Sequence, residues 1–243
     1  MASTSEIGHA KNVANFQDLI EFVTAYGATY NPSKNSLKLP QLIALKASAD
    51  ATLADVITKN TNYNNKVNER ITAFSGLKSL STRLVNALQT TDATTETIGN
   101  AKTFNRKMQG KKASSSQTPT DPNTPAPNTI STSQQSYDQL IQHLAGLTCI
   151  LEAETSYTPN ETDLQVATLQ TKIADLTAKN TAVATAYASI SNSRIARNET
   201  LYSSSTGLVE TANEVKKYIK SVFGASSPQF AQVKGIQFKI IKN

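Results

Sequence analysis

The sequence is short of the residues that most site chemistry requires. Its 243 positions hold one cysteine, two histidines and no tryptophan. A single thiol, Cys149, closes no disulfide within the chain, and His9 and His143 are too few for a histidine-based metal site. No GxGxxG, Walker, GxSxG or HExxH pattern is present, so no cofactor and no catalytic residue is expected, and the chain reads as non-enzymatic. Charge is also scarce: Asp, Glu, Lys and Arg make up 17% of the chain, against roughly 25% in an average soluble protein. Long apolar runs are missing too. The most apolar stretch, Leu140 to Leu151, includes Gln142 and His143 and falls well short of the roughly twenty residues of a membrane helix. The first residues lack the basic stretch of a secretory leader, so the expected setting is cytoplasmic.

What replaces charge is Thr, Ser, Asn and Ala, and 38% hydrophobic residues suffice to fill a core, which excludes a disordered polyelectrolyte. Four of the eight prolines fall between residues 113 and 136, a Thr/Ser/Pro stretch with almost nothing apolar. Proline fixes φ and removes a backbone donor, so this stretch reads as a linker. It divides the chain into a first unit, 1–112, and a second unit, 137–243.

The two units read as tandem copies. Phe16–Val23 matches Tyr137–Leu144, and Tyr30-Asn-Pro-Ser matches Tyr157-Thr-Pro-Asn. The agreement continues through Leu42 with Leu169, Val56 with Val183, Arg70 with Arg197, and Gly76 with Gly207. A repeat of this length is a domain-sized duplication rather than a solenoid.

Each copy reads as helices. Val13, Phe16, Leu19, Ile20 and Val23 recur at three- and four-residue steps, as do Tyr137, Leu140, Ile141, Leu144 and Leu151, giving one apolar stripe per helix. Pro32 and Pro159 then break the chain. A long coiled-coil-like element follows, striped by Leu42, Leu45, Ala49, Leu53, Val56, Asn60, Tyr63, Val67, Ile71 and Phe74. Its copy carries Leu169, Ile173, Leu176, Asn180, Val183, Tyr187 and Ile190. Third helices are expected at about 77–90 and 208–223, with short ones opening near Thr95 and Ser227-Pro228. The fold class is all-α: two tandem copies of a long antiparallel helical-bundle unit. Whether they stand apart or pack together as one elongated bundle stays open.

Several residues qualify as candidate sites. Asn60 and Asn180 fall on apolar-face positions, where an asparagine can specify register. Arg70 and Arg197 are expected to lay their stems along the stripe with their heads in water, an interhelical ion pair or ligand contact being the alternative. His143 reads as a packed histidine and Cys149 as a buried thiol. The least ordinary feature is the placement of positive charge. Lys102, Arg106, Lys107, Lys111 and Lys112 end the first copy, and Lys216, Lys217, Lys220, Lys234, Lys239 and Lys242 end the second. Such basic ends suit an acidic protein surface, nucleic acid phosphates or anionic lipid, the alternative being that they only complement helix C-termini and aid solubility.

The stretches Ile7–Ile20, Tyr30-Asn-Pro-Ser-Lys, Arg197-Asn198 and Ser221–Gln229 resemble an uncharacterised family of duplicated helical proteins from Bacteroidota-type bacteria. The resemblance covers both copies and implies a bacterial, cytoplasmic setting; it brings no activity and no site residue. The expectation is therefore a structural or protein-interaction protein that forms a homo-oligomer. Electrostatic binding of nucleic acid or another anionic surface through the basic ends is the alternative.

Overall fold

The structure, a computed structural model, describes residues 6–110 and 135–241, and every regular element among them is helical. The linker assigned to 113–136 lies outside the described residues apart from Gln135 and Ser136. In chain order the helices are α1 (Ile7–Ala25), α2 (Leu39–Phe74), α3 (Leu77–Leu88), α4 (Thr95–Gln109), α5 (Tyr137–Ala153), α6 (Val166–Tyr202), α7 (Leu208–Phe223) and α8 (Pro228–Lys234). Short 3-10 turns at Asn35–Leu37 and Thr162–Leu164 precede the two long helices.

Local chemistry explains where the helices begin. The hydroxyl of Thr94 accepts from the Thr97 amide, that of Ser136 from Gln139, and that of Ser227 from Phe230, at 3.2, 3.2 and 3.1 Å. Each satisfies an amide that the first helical turn leaves without a partner. Pro228 follows Ser227 at the start of α8, where its missing N–H costs nothing. Gly110 closes α4 at φ 73°, the left-handed cap that glycine adopts without strain.

The compact units do not follow the division at the linker. One comprises residues 1–63 and 186–243, the other residues 64–185, so the boundaries cross both long helices. In unit one, Val13, Phe16, Leu19, Ile20 and Val23 of α1 share a core with Leu208, Val209, Ala212, Val215 and Ile219 of α7 and Val233 of α8. In unit two, Leu144, Leu147 and Leu151 of α5 share a core with Leu77, Leu84, Val85 and Leu88 of α3 and Ala101 and Met108 of α4. Each core therefore draws on chain from both sides of the linker.

The two units repeat details of each other. The Tyr30 hydroxyl donates to the Leu37 carbonyl at 2.8 Å, and the Tyr157 hydroxyl donates to the Leu164 carbonyl at 2.9 Å. Both bonds pin a 3-10 turn to the chain before it, and burial pushes both phenols up, Tyr157 to about 12. In unit one the Lys34 ammonium pairs with Glu214 of α7 at 2.6 Å. In unit two Arg83 of α3 grips Asp163 with both terminal nitrogens, so the turn-to-helix ion pair has the opposite polarity. The buried set Phe16, Leu19, Ile20 and Val23 has the spacing of Leu144, Leu147, Thr148 and Leu151 in α5. Burial thus shifts the match read from the sequence by one heptad.

On the long helices Leu42, Ala49 and Val56 are buried at seven-residue intervals, as are Leu169, Leu176, Val183 and Ile190. Two residues assigned to these stripes are exposed instead, Ile71 at 53% and Tyr187 at 59%. Val183, Ala186 and Ile190 around Tyr187, and Phe74 after Ile71, stay buried, so each of the two lies off the covered face of its helix. In unit one Ser193 donates to Asp55 at 2.6 Å, and the rings of Tyr63 and Tyr187 lie 5.9 Å apart. In unit two Lys179 pairs with Glu69 at 3.1 Å, and Arg70 donates to Asn180 at 3.0 Å.

The glycines that precede α3 and α7 serve different needs. Gly76 has φ 79° with open space where a Cβ would stand. Gly207 has an ordinary φ of −67°, but a Cβ there would come within 2.5 Å of the Ser203 amide nitrogen and 2.6 Å of its carbonyl oxygen. Gly207→Ala must therefore move backbone and should cost about 2 kcal/mol, whereas Gly76→Ala carries only left-handed strain of about 1 kcal/mol. Urea unfolding of the two variants checks the order; equal losses would mean that the turn at Gly207 yields freely.

Candidate functional site

The basic ends are partly internal structure. Lys107 lies over the Phe104 ring, Lys216 over Phe238 and Lys220 over Phe230, with ammonium-to-centroid distances of 5.5, 5.6 and 5.8 Å. These are cation–π distances. Lys216 also donates to the Ile236 carbonyl, and burial lowers its pKa. Arg106 donates to the Thr103 hydroxyl at 3.0 Å while remaining exposed. Lys102 on α4 is exposed, as are Lys217, Lys234 and Lys239 in unit one. Lys111, Lys112 and Lys242 lie outside the described residues.

The richest polar arrangement is one that the basic residues do not announce. Beyond α8 and Gly235, residues 236–241 run without regular structure along α1 in unit one, and we call this segment the strap. Asn12, 3% exposed, holds its main chain at two points. The Asn12 amide donates to the Lys239 carbonyl at 2.7 Å, and the Lys239 N–H donates back to Asn12 Oδ1 at 3.0 Å. One helical turn further on, Asn15 donates to the Gln237 carbonyl at 2.7 Å. Between these anchors the Phe238 ring meets Phe16 edge-on at 6.5 Å. At the far end Ile241 covers Gly8, where a Cβ would stand only 3.0 Å from its Cδ1. A hollow of about 440 Å³ opens beside the strap, lined by Lys11, Asn15, Asp18, Gln237 and Lys239 among others.

A buried network backs the same groove. His9 Nδ1 lies 2.6 Å from the Tyr202 hydroxyl, and Asn12 donates to that hydroxyl at 3.3 Å. Arg197, whose side chain is 1% exposed, pairs with both Glu6 oxygens and donates twice to Asn198. The head of Arg197 is therefore buried, contrary to the expectation that it would stay in water: α1 covers it and Glu6 neutralises it. Desolvation holds His9 below its usual pKa, the Arg197 charge lowers it further and Glu6 opposes them. Burial pushes the Tyr202 phenol up.

In unit two the candidate register residue Asn180 joins a chain of contacts. It accepts from Arg70 and donates to Asp138 at 2.7 Å. The Arg70 guanidinium stacks 4.0 Å from the Tyr137 ring centre. Asn60 sits half-buried in α2. His143 is packed as expected, but Cys149 is exposed, because it points off α5 away from the face that carries Leu144, Leu147 and Leu151.

Sequence reasoning missed Glu6, His9, Asn12 and Asn15. The available signal was that His9 and Asn12 continue the Phe16 stripe backwards at helical steps, a polar extension of an apolar face. Among the described residues no group of His, Cys, Asp and Glu could hold a metal ion, and no helix is long and apolar enough to cross a membrane. No family model, no curated protein and no solved structure matches this chain.

Proposed function

We propose that the protein is a non-enzymatic structural or interaction element, built from two copies of one antiparallel helical unit with their halves exchanged, and that it assembles with itself. The observation that carries this reading is the composition of the two cores. The first helix of each copy packs on the third and fourth helices of the other: α1 with α7 and α8, α5 with α3 and α4. The paired tyrosine bonds and the matching burial of α1 and α5 support the duplication. The contacts Asp55–Ser193, Tyr63–Tyr187 and Glu69–Lys179 support an antiparallel run of the long helices, since one residue number rises as the other falls.

The opposed polarity of the turn contacts supports exchange over direct folding. Without exchange, the turn carrying Lys34 would face Arg83 and the turn carrying Asp163 would face Glu214, like charges in both places. Each exposed pair contributes little by itself, but like-charge juxtaposition penalises the wrong partner.

Halves that exchange within a chain can exchange between chains, the ordinary route of domain swapping. Light scattering should show mass rising with protein concentration and falling between low and moderate salt, because the exposed pairs are screened over about 10 Å at 0.1 M. A monomer at every concentration and salt would reject self-assembly. If that monomer also retarded DNA, electrostatic binding through Lys102, Arg106, Lys217 and Lys234 would take its place. The bacterial and cytoplasmic setting belongs to the same proposal.

A further inference from the structure

We infer that the groove on α1 is a recognition site for an extended segment, and that its occupant in trans is the strap of a second copy of this chain. The inference rests on the reading that the protein self-associates, and it names a surface through which copies can join.

The groove reads main chain. Asn12 supplies one acceptor and one donor to a single residue, Lys239, and Asn15 and Lys216 bind the carbonyls of Gln237 and Ile236. A helix face that pairs with the backbone of an extended segment does the work that a strand edge does in β-augmentation, while pockets for individual side chains set specificity. Here those side chains are Phe238 against Phe16 and Ile241 over Gly8. Asn12 is held ready for this by Tyr202, which also touches His9, so its amide is oriented by groups that do not belong to the strap.

The strap's other ties are Ile236 and Phe238 packed on the core of unit one and the Lys216 ammonium over the Phe238 ring. The strap carries no regular structure and follows Gly235, where a Cβ would meet nothing within 4 Å. Every bond that seats it in its own groove is available, with the same sequence and geometry, to the strap of another copy. Reciprocal exchange therefore conserves every contact, and concentration sets the balance between cis and trans.

Two variants of the full chain separate groove from strap. Phe238→Asp disables the strap and leaves the groove, whereas Asn12→Ala disables the groove and leaves the strap. Mixed in equal amounts, they are expected to form a heterodimer by light scattering at a concentration where neither does so alone. A mixture whose mass is only the average of its components overturns the inference. Exchange of helical halves would raise the mass of each variant alone, so failure of that reading is distinguishable.

A second measurement guards against a variant that loses helix by circular dichroism. A labelled peptide of residues 235–241 should bind the Phe238→Asp chain, and adding Asn12→Ala should weaken binding on the order of ten-fold. If Phe238→Asp is not helical, Lys239→Pro, which removes the N–H that Asn12 accepts, takes its place. Equal binding with and without Asn12, or a scrambled peptide binding as well, overturns the inference.

Discussion

Cutting the chain once within residues 113–136 is expected to leave its two fragments bound to each other. The core of unit one takes Val13, Phe16, Leu19, Ile20, Val23, Tyr30, Leu37, Leu42 and Ala49 from the first fragment, and Leu201, Leu208, Val209, Ala212, Val215, Ile219 and Val233 from the second. The core of unit two is divided in the same way, Phe74 to Met108 against Leu144 to Leu176. Separating the fragments would return to water the side chains that meet across the two. At about 2 kcal/mol for each large apolar side chain, re-exposing about five in each unit costs on the order of 20 kcal/mol in all, more than the roughly 4–15 kcal/mol that separation recovers. A protease site placed after Asp121, followed by size exclusion with light scattering, makes the measurement. Co-elution at the uncut mass is the expected result; two separating helical fragments would mean that each fragment folds by itself, against cores shared between the two.

The second large effect lies at Glu6 and Arg197. Glu6→Ala should destabilise the protein by about 3 kcal/mol, because it leaves a guanidinium buried without a counter-ion. Arg197→Met should cost much less. The Arg197 side chain is 1% exposed but that of Glu6 is 28% exposed, so water can solvate the abandoned carboxylate, and methionine refills much of the space. Urea unfolding of both variants decides, and equal losses would remove the buried-charge argument.

The same pair modulates the response of His9 to acid, which burial sets first. His9 has a folded pKa below 6.5, so the unfolded chain takes up a proton first. The stability that His9 contributes is present above pH 6.5 and is lost as pH falls towards the lowered folded value. Arg197→Met removes one cause of the lowering and should narrow that acid loss. Glu6→Ala removes the opposing charge and should widen it. Titration of the His9 ring signals by NMR reads both directions.

Much of the local structure was legible in the sequence because its causes are local. Thr94, Ser136 and Ser227 cap the helices that follow them, and Pro228 opens α8, through bonds that reach no further than three residues. The stripes Phe16–Val23 and Leu42–Val56 are buried because a helix turns the same face inward whatever that face meets. The registers were less legible. Phe16, Leu19, Ile20 and Val23 match Tyr137–Leu144 and Leu144–Leu151 almost equally well as letters, since a heptad pattern slipped by seven residues looks like itself. Burial chooses the second match.

By itself, the sequence determined that this chain is helical, where most of its helices begin, and which faces carry the core. Only the tertiary structure decided that α1 packs on α7 and α8, that α5 packs on α3 and α4, and that Arg197 is buried against Glu6. It alone seated the strap on Asn12 and Asn15 and turned Cys149 outward. The reason is that hydrophobic burial has no direction: a stripe specifies that it must be covered but not by what. The choice of partner falls to a few polar and charged contacts, Lys34 with Glu214, Arg83 with Asp163 and Asn12 with the Lys239 backbone, whose members lie far apart in sequence and leave no periodic trace in it.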